Sequence, residues 1–226
     1  MKKIISIILI IVGLFLIASP IFNNQIIKGK ASTAQKITEK VTSVEIEKND
    51  RREATYDYSA IKDVEITSTI TGAFSMKKEE INDNIIGQII IDDLNIDLPI
   101  LKGISNSNLL IGAATMVPNI RMGTGNYSLA GHYMEDNLLF GELVNIEIGT
   151  VVKITNKKII YEYEIYDTRV VPDTAFYMLD QNKSDERGKP IISLMTCYYT
   201  SKNGKRYFAL GELVNEYPYE EGIIIN

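Results

Sequence analysis

The apolar run Ile191–Cys197 is the sequence feature that most constrains the fold of this chain. It follows Pro190, consists mainly of aliphatic residues and ends on the only cysteine among 226 residues. A short apolar run bounded by a proline and a polar loop is typical of a buried strand. Cys197 would then lie where the strand leaves the sheet, a position from which a rigid support can present a nucleophile. From this segment alone, a small buried hydrophobe is an equally good interpretation of a lone cysteine.

Similar short apolar stretches recur through the second half of the chain and predict about eight strands, with two or three brief helices between them. Because these strands do not alternate with long helices, the pattern favours a mostly antiparallel barrel or sandwich. The predicted strands include residues 87–91, 96–101, 126–131, 150–155, 159–171, 191–197 and 206–215, and the predicted short helices are 105–113 and 138–145.

One pentapeptide, Gly-Glu-Leu-Val-Asn, occurs both at 141–145 and at 211–215. Its flanks do not match, and one copy falls in a predicted helix and the other in a predicted strand. We therefore interpret it as a coincidence and not as an internal repeat.

The N-terminus predicts attachment to a membrane. Residues 4–22 carry no charge and are rich in Ile, Leu, Val and Phe, and a helix needs roughly 20 apolar residues to span a bilayer. The alternative is a cleaved signal peptide, but the run is longer than the usual core of ~7–15 residues and Ala18-Ser19-Pro20 is a poor cleavage site. We expect residues 1–22 to form a signal-anchor transmembrane helix, with a single pass through the cell membrane and the C-terminal domain outside the cytoplasm.

The polar segment 23–75 predicts an extracytoplasmic stalk with some helix at 34–48, and residues 76–226 are expected to form the catalytic domain. Within the stalk, residues 54–70 carry enough Tyr and Ile to pack against that domain. This apolar content motivates the hypothesis that the segment lies over the barrel and modulates access. The net charge is −5 with both signs well mixed, so nothing indicates a nucleic-acid partner.

Two further residues accompany Cys197 as candidates for chemistry. His132 is the only histidine and, like Cys197, follows a short apolar strand. A lone histidine is more often a satisfied polar group, but a thiol–imidazole pair in this chain can only be these two residues. Arg206 lies nine positions after the cysteine, and Asn203-Gly204 is a turn signal that would pair the flanking strands antiparallel. The guanidinium would then lie opposite the thiol and could hold a substrate carbonyl or an oxyanion, although a solvated charge is the ordinary alternative.

The chemistry of such a trio is coherent. A free thiol has a pKa near ~8.5 and an imidazole near ~6.5, and a close pair with a nearby arginine favours the nucleophilic thiolate. The imidazolium can protonate a departing amine, and neutral imidazole can deprotonate an incoming one. A thioester with an amine acceptor gives transpeptidation, whereas water gives hydrolysis. A zinc site would need added carboxylates, so we predict no metal.

The motifs around these residues resemble those of the sortases. The resemblance rests on Leu129–His132, on Ser193–Cys197 and on Arg206, and it runs from about residue 86 to 215. Ser193 departs from the family pattern, in which Thr is usual at this position. The resemblance implies an eight-stranded β-barrel in a membrane-anchored cysteine transpeptidase that needs no cofactor. Such an enzyme cleaves an LPxTG-like signal between Thr and Gly on surface proteins and passes the acyl group to an amine of a peptidoglycan precursor.

The resemblance also implies roles for individual residues. Cys197 would be the nucleophile, His132 the general acid and base, and Arg206 the anchor for the substrate and the oxyanion. The binding groove is expected to include Thr196, Leu194, Ala113 and Ala114. Class A fits best, because the anchor is N-terminal and the loop 172–190 is modest, while class D stays open. The loop 113–125 has no acidic residue, which predicts independence of calcium.

Two other interpretations remain at this point. A thiol peptidase could use the same Cys197–His132 dyad and release its product to water. A membrane-tethered β-barrel binding module could carry the same cysteine and histidine as structural residues only.

Overall fold

The computed structural model describes residues 2–63, 77–134 and 137–220. Within these residues eight strands close into a barrel in the order β1-β2-β3-β4-β7-β8-β6-β5. The predicted eight-stranded, mostly β barrel is therefore confirmed. The strands are β1 (Ile85–Ile91), β2 (Ile96–Leu101), β3 (Ala113–Thr115), β4 (Asn126–Ala130), β5 (Val151–Thr155), β6 (Ile159–Pro172), β7 (Ile191–Cys197) and β8 (Lys205–Pro218).

Most neighbouring strands are antiparallel, as the lack of βαβ alternation predicts. The two exceptions among the described strands are the parallel pairs β2–β3 and β4–β7. The predicted hairpins are present as β1–β2 and β5–β6. Asn95 ends the first of these turns with φ 51°, a left-handed conformation that asparagine tolerates better than most residues.

The helices are short except for the first. They are α1 (Lys2–Lys40), α2 (Ser43–Asp50), α3 (Lys78–Asn84), α4 (Asn106–Leu109) and α5 (Asn182–Arg187), with 3₁₀ turns at Tyr58–Ala60, Asp92–Leu94, Gly141–Asn145, Phe176–Leu179 and Ser201–Asn203. Thr42 separates α1 from α2, because its side chain and that of Glu45 form a capping box that starts the second helix. In the part of the chain that the structure describes, no helix has both the length and the hydropathy for a membrane crossing.

Several described residues of segment 23–75 pack against the barrel. Ile27 and Ala34 of α1 are buried, as are Val41 and Ile46, and all four belong to the main hydrophobic core. Residues 64–76 fall outside the described part of the chain, and with them the predicted domain boundary at 75/76 and the end of the segment 54–70.

The apolar side chains form two clusters on opposite faces of β7. Because successive side chains of a strand alternate between faces, Ile192 and Leu194 join the main core inside the barrel. Met195 and Cys197 join a second cluster with Phe208 of β8. The second cluster contains Cys197, so the candidate site lies on this face of β7.

Candidate active site

The parallel pairing of β4 and β7 brings His132 beside Cys197. Ala130 is the register partner of Met195, and the backbone N–H of Gly131 donates to the carbonyl oxygen of Met195 at 3.0 Å. Parallel strands run in the same direction. Two residues that follow a paired position by the same number of residues therefore lie at the same edge of the sheet. His132 and Cys197 each lie two residues beyond that pair, which places the only imidazole and the only thiol at one end of adjacent strands.

Arg206 reaches the same edge from the other side of β7. It is the register partner of Cys197 across the antiparallel β7–β8 pair, as the sequence predicts. The turn between them is held by Asn203, whose side chain donates to the carbonyl oxygen of Tyr198 at 2.7 Å and accepts from the N–H of Lys205 at 2.9 Å. Gly204 follows with φ 64°, a conformation that costs glycine little.

Cys197 and His132, the candidate catalytic pair, are buried in this conformation. Cys197 and His132 each have 2% relative exposure, and Nε2 of His132 has no hydrogen-bond partner among the described residues. A buried nitrogen without a hydrogen-bond partner lowers the stability of the fold, so its presence calls for an explanation such as a role in substrate binding or proton transfer. The guanidinium of Arg206 donates from Nη2 to the carbonyl oxygen of Ile61 at 3.0 Å and lies 3.9 Å from Oδ2 of Asp173.

Burial also sets the protonation of the pair. It raises the pKa of the Cys197 thiol to about 11, although the positive charge of Arg206 acts in the opposite direction. Burial lowers the pKa of His132 to about 4, against the smaller opposing effect of Asp63. The neutral thiol and neutral imidazole are therefore the stable forms at pH 7. The expected preference for the thiolate does not hold in this conformation, because desolvation of the charged form outweighs the arginine.

The residues predicted for the binding groove are divided between the two faces of the sheet. Leu194 and Ala113 are buried in the main core inside the barrel, whereas Ala114 belongs to the second cluster beside Met195 and Cys197. Thr196 is fully buried, and its hydroxyl has no hydrogen-bond partner within the described residues. The side chain of Leu194 thus points away from the face that carries Cys197.

The structure shows a cavity of about 470 Å³ beside Arg206 that sequence reasoning did not assign. It lies on the outer face of β7 and β8, where Met195 and Phe208 form its floor. Strand alternation could have indicated Met195, because it is two residues from Cys197 on the same face. The other lining residues come from segments that are far apart in the sequence, and no local sequence pattern indicates that they share a cavity. Its lining includes Tyr58, Ile61, Met116, Ala175, Phe176, Leu179, Met195, Arg206 and Phe208.

Asn126 holds in place the segment 176–181, which forms one wall of this cavity. Its buried side chain accepts from Ser193 Oγ at 2.7 Å and donates to the carbonyl oxygens of Met178 and Asp180 at 3.0 and 3.2 Å. The side chain of Gln181 accepts a hydrogen bond from the N–H of Asn126 at 3.0 Å and donates one to its carbonyl oxygen at 2.9 Å. The serine that departs from the family pattern at position 193 therefore takes part in a network that ties β4 and β7 to the segment 176–181.

Comparisons with known proteins agree with this geometry. Residues 89–214 match the family model described as the Sortase domain. The chain is 36% identical over 214 residues to sortase A of Listeria monocytogenes, covering 94% of this chain and 91% of that protein. It is 30% identical over 214 residues to sortase A of Bacillus anthracis, covering 94% of each. The crystal structure of Listeria monocytogenes sortase A superimposes with a TM-score of 0.57 at 32% identity, covering 61% of this chain and 92% of that one.

These matches confirm the resemblance that the motifs around His132, Cys197 and Arg206 indicate, including its preference for class A. The match to the family model contains all three residues and extends over the barrel strands from β1 to β8. The chain belongs to the sortase family.

Proposed function

We propose that this chain is a membrane-anchored sortase. It cleaves an LPxTG-like sorting signal between Thr and Gly and transfers the acyl group to an amine of a cell-wall precursor. The observation that carries the proposal is the convergence of Cys197, His132 and Arg206 at one edge of the barrel through the β4–β7 and β7–β8 pairings. Its partners are surface proteins with such a C-terminal signal and a peptidoglycan precursor that supplies the amine.

The first half of the reaction forms a thioester. His132 takes the proton of the Cys197 thiol, and the sulfur attacks the carbonyl carbon of the scissile Thr–Gly bond. Arg206 stabilises the negative oxygen of the tetrahedral intermediate through its preorganised N–H donors. The C–N bond then breaks, and the imidazolium of His132 gives its proton to the departing glycine amine.

The second half reverses these roles for a new amine. Neutral His132 removes a proton from the acceptor amine as its nitrogen attacks the thioester carbonyl. A new amide bond forms, the C–S bond breaks and the thiolate of Cys197 recovers the proton. Water in place of the amine would release a free carboxylate instead.

The cavity beside Arg206 supports the assignment of a peptide substrate. Its lining combines apolar residues such as Met116, Leu179 and Phe208 with polar ones such as Thr174 and Ser201, and this mixture suits a signal that has both apolar and polar side chains. We assign no metal or cofactor to the mechanism, and calcium independence remains a prediction that rests on the absence of acidic residues between 113 and 125.

Membrane attachment is the part of the proposal that concerns α1. The apolar run 4–22 lies within this helix, and Ile4, Leu9 and Leu14 at its beginning are each more than half exposed. Large contiguous apolar surfaces on a helix are typical of contact with a membrane or a partner. We therefore infer a single-pass anchor at residues 1–22 that holds the barrel on the extracytoplasmic side.

The test uses the full-length chain in detergent with a fluorogenic LPxTG peptide, with and without a primary amine acceptor. Wild type should give an amine-linked product, and Cys197→Ala and His132→Ala should lose it. Asn145→Ala, at an exposed residue whose side chain donates to Glu142, is the matched control and should behave as wild type. Hydrolysis without amine incorporation would identify a thiol peptidase, and binding without cleavage would identify a binding module.

A further inference from the structure

A second cavity, of about 1070 Å³, lies at the end of the barrel opposite to Cys197. Cys197 is the last residue of β7, and β4 runs parallel to β7, so the beginning of β4 lies at the other end. The cavity is lined there by residues from the first turns of β1, β4 and β6, from the residue after β2 and from the β5–β6 turn. These residues are Ile86, Tyr127, Tyr161, Lys102, Asn156 and Lys158. Helix α2 and the loop 118–122 complete the walls.

Two tyrosine hydroxyls in this lining have no partner in the protein. Tyr127 and Tyr161 are only 2% and 8% exposed, and both line the cavity. Neither hydroxyl forms a hydrogen bond with another residue that the structure describes. Tyr163, inside the same barrel, differs because its hydroxyl accepts from the N–H of Gly123 at 3.0 Å. Buried polar groups usually have partners, so the hydroxyls of Tyr127 and Tyr161 are available to a ligand in the cavity.

The chemistry of these two side chains indicates what such a ligand carries. A phenolic hydroxyl both donates and accepts hydrogen bonds, so it matches a ligand with hydroxyl groups of its own. The ring beside it presents an apolar face, against which the flat C–H face of a sugar ring can lie. A purely apolar ligand would leave both hydroxyls unpaired and would bind less favourably for that reason.

The charges around the cavity favour an anion. Its lining contains five basic and three acidic side chains: Arg51, Arg52, Lys102, Arg121 and Lys158 against Glu47, Asp50 and Glu53. The chain as a whole carries a net charge of −5, so this excess of positive charge is local. Arg51 and Lys158 share the single carboxylate of Glu47. The exposed guanidinium of Arg121 has no ion pair within the described residues.

One ligand class satisfies both parts of the site. An arginine presents a planar fork of N–H donors that fits the oxygens of a phosphate, and the two tyrosines fit a saccharide. An uncharged sugar would not use Arg121, and a bare phosphate would not use the tyrosines. Pockets for small molecules usually measure roughly 300–1,000 Å³, so this cavity has room for more than one sugar ring.

We propose that this cavity binds a phosphorylated saccharide, with the phosphate at Arg121 and the sugar rings against Tyr127 and Tyr161. The site goes beyond the proposed function and does not rest on it. Cys197, His132 and Arg206 do not contribute to its lining, and the register of the strands places them at the other end of the barrel.

The test titrates the full-length chain in detergent with maltose 1-phosphate, with maltose and with inorganic phosphate. Binding is measured by calorimetry and by ligand-dependent thermal stabilisation. We expect a Kd of about 1 mM or lower for maltose 1-phosphate and affinities about tenfold weaker for the other two. Added salt should weaken binding of the phosphosugar because it screens the basic side chains. Equal affinity for inorganic phosphate, equal affinity for maltose, or no binding of the phosphosugar would each overturn the proposal.

Two substitutions locate the binding in this cavity. Arg121→Gln removes the unpaired charge and should raise the Kd about tenfold. Tyr127→Phe removes only a hydroxyl and should raise it about 3- to 10-fold. The controls are Arg169→Gln and Tyr177→Phe, at exposed residues outside this lining, and they should bind as wild type. If all four variants bind equally well, the phosphosugar does not occupy this site.

Thermal unfolding without ligand separates a binding role of Tyr127 from a structural one. Tyr127→Phe has no hydrogen bond within the described protein to lose, so its Tm should not fall below that of wild type. Tyr163→Phe loses the bond from Gly123 and should have a lower Tm. A fall in Tm for Tyr127→Phe as large as that for Tyr163→Phe, together with unchanged affinity, would show that Tyr127 is structural and contradict the proposal.

Turnover of the LPxTG peptide by the same variants keeps this proposal separate from the proposed function. Arg121→Gln and Tyr127→Phe should cleave the peptide at the wild-type rate, because their site is at the opposite end of the barrel. Binding of the phosphosugar without turnover in any sample supports this site and contradicts the LPxTG assignment. Turnover without such binding supports the transpeptidase and overturns this site.

Discussion

Cys197 and Arg206 are register partners across the antiparallel strands β7 and β8, so a thiol and a positive charge lie at the same edge of the sheet. The charge of Arg206 opposes the effect of burial on the thiol pKa. Because the guanidinium is also a planar donor of several N–H groups, it can first stabilise the thiolate and later the oxyanion. In the proposed mechanism this side chain has both functions, so even a conservative replacement should lower activity.

Replacing Arg206 with Ala should lower kcat/KM for the LPxTG peptide about 100- to 1000-fold, the usual cost of losing a preorganised oxyanion donor. Arg206→Lys keeps the charge but not the planar fork, and should fall between wild type and Arg206→Ala. Arg169→Ala, at an exposed arginine paired with Asp167, is the control. Equal turnover by Arg206→Ala and this control would exclude an oxyanion role.

The reactivity of Cys197 should depend on pH in a way that reports on the burial of its thiol. Burial raises the pKa of the thiol to about 11, so the rate of alkylation of the folded chain by iodoacetamide should keep rising up to about that pH. Unfolding the chain in urea should expose the thiol, remove its desolvation and move the midpoint down toward the ordinary value of ~8.5. Rate–pH profiles of the folded and the unfolded chain between pH 6 and 11 compare the two. Coincident profiles would mean that burial does not control the pKa of the thiol.

The stability of the fold should fall as the buried histidine is forced toward its charged form. Its pKa is about 4 in the folded chain and near ~6.5 when unfolded. Between these values the unfolded state binds a proton that the folded state excludes, so stability is complete above pH 6.5 and declines as the pH falls toward 4. The expected loss across this window is on the order of 3 kcal/mol.

Urea unfolding of wild type and His132→Asn at several pH values between 7 and 4 tests this expectation. Carboxylates with lowered pKa, such as Glu47 and Glu212, also lose stabilising interactions in acid, but they are common to both proteins and cancel in the difference. The wild-type free energy of unfolding should therefore decline more steeply than that of His132→Asn. Parallel declines would show that the imidazole is not buried in its neutral form.

Most strands and the pairing of Cys197 with Arg206 could be predicted because their signals are local. Alternating or continuous apolar runs indicate strands, and Asn203-Gly204 marks the turn that sets Cys197 against Arg206. The pairing of β4 with β7 has no such signal, because more than fifty residues separate these strands in the sequence. Motif resemblance supplied His132 as the partner of Cys197, and the parallel register supplies the physical reason.

Other features depend on tertiary contacts that no short segment contains. The pentapeptide shared by 141–145 and 211–215 forms a 3₁₀ turn in the first case and part of β8 in the second, so its surroundings decide its conformation. Leu194 was assigned to the groove from its motif, yet its face of β7 packs inside the barrel. The thiol pKa likewise depends on burial in the folded chain, whose effect outweighs that of the arginine that the sequence reveals.

The hydrogen-bond network of Asn126 gives the last prediction. Asn126→Ala would leave the hydroxyl of Ser193 and the carbonyl oxygen of Met178 without their present partners in a buried site. Because each of these two unsatisfied buried groups costs roughly 1–3 kcal/mol, the free energy of unfolding should fall by about 2–6 kcal/mol. The segment 176–181 should also loosen, and since it carries one wall of the cavity beside Arg206, KM for the peptide should rise more than kcat falls.

Denaturant unfolding and peptide kinetics measure these two effects on the same samples. Removing the hydroxyl as well, in Asn126→Ala/Ser193→Ala, should recover part of the lost stability, because the orphaned donor is then absent. Asn145→Ala breaks an exposed hydrogen bond to Glu142 and should cost less than about 0.5 kcal/mol. If the double variant is as unstable as the sum of its single changes, Ser193 and Asn126 act independently, and the buried network does not couple β7 to the wall of the site.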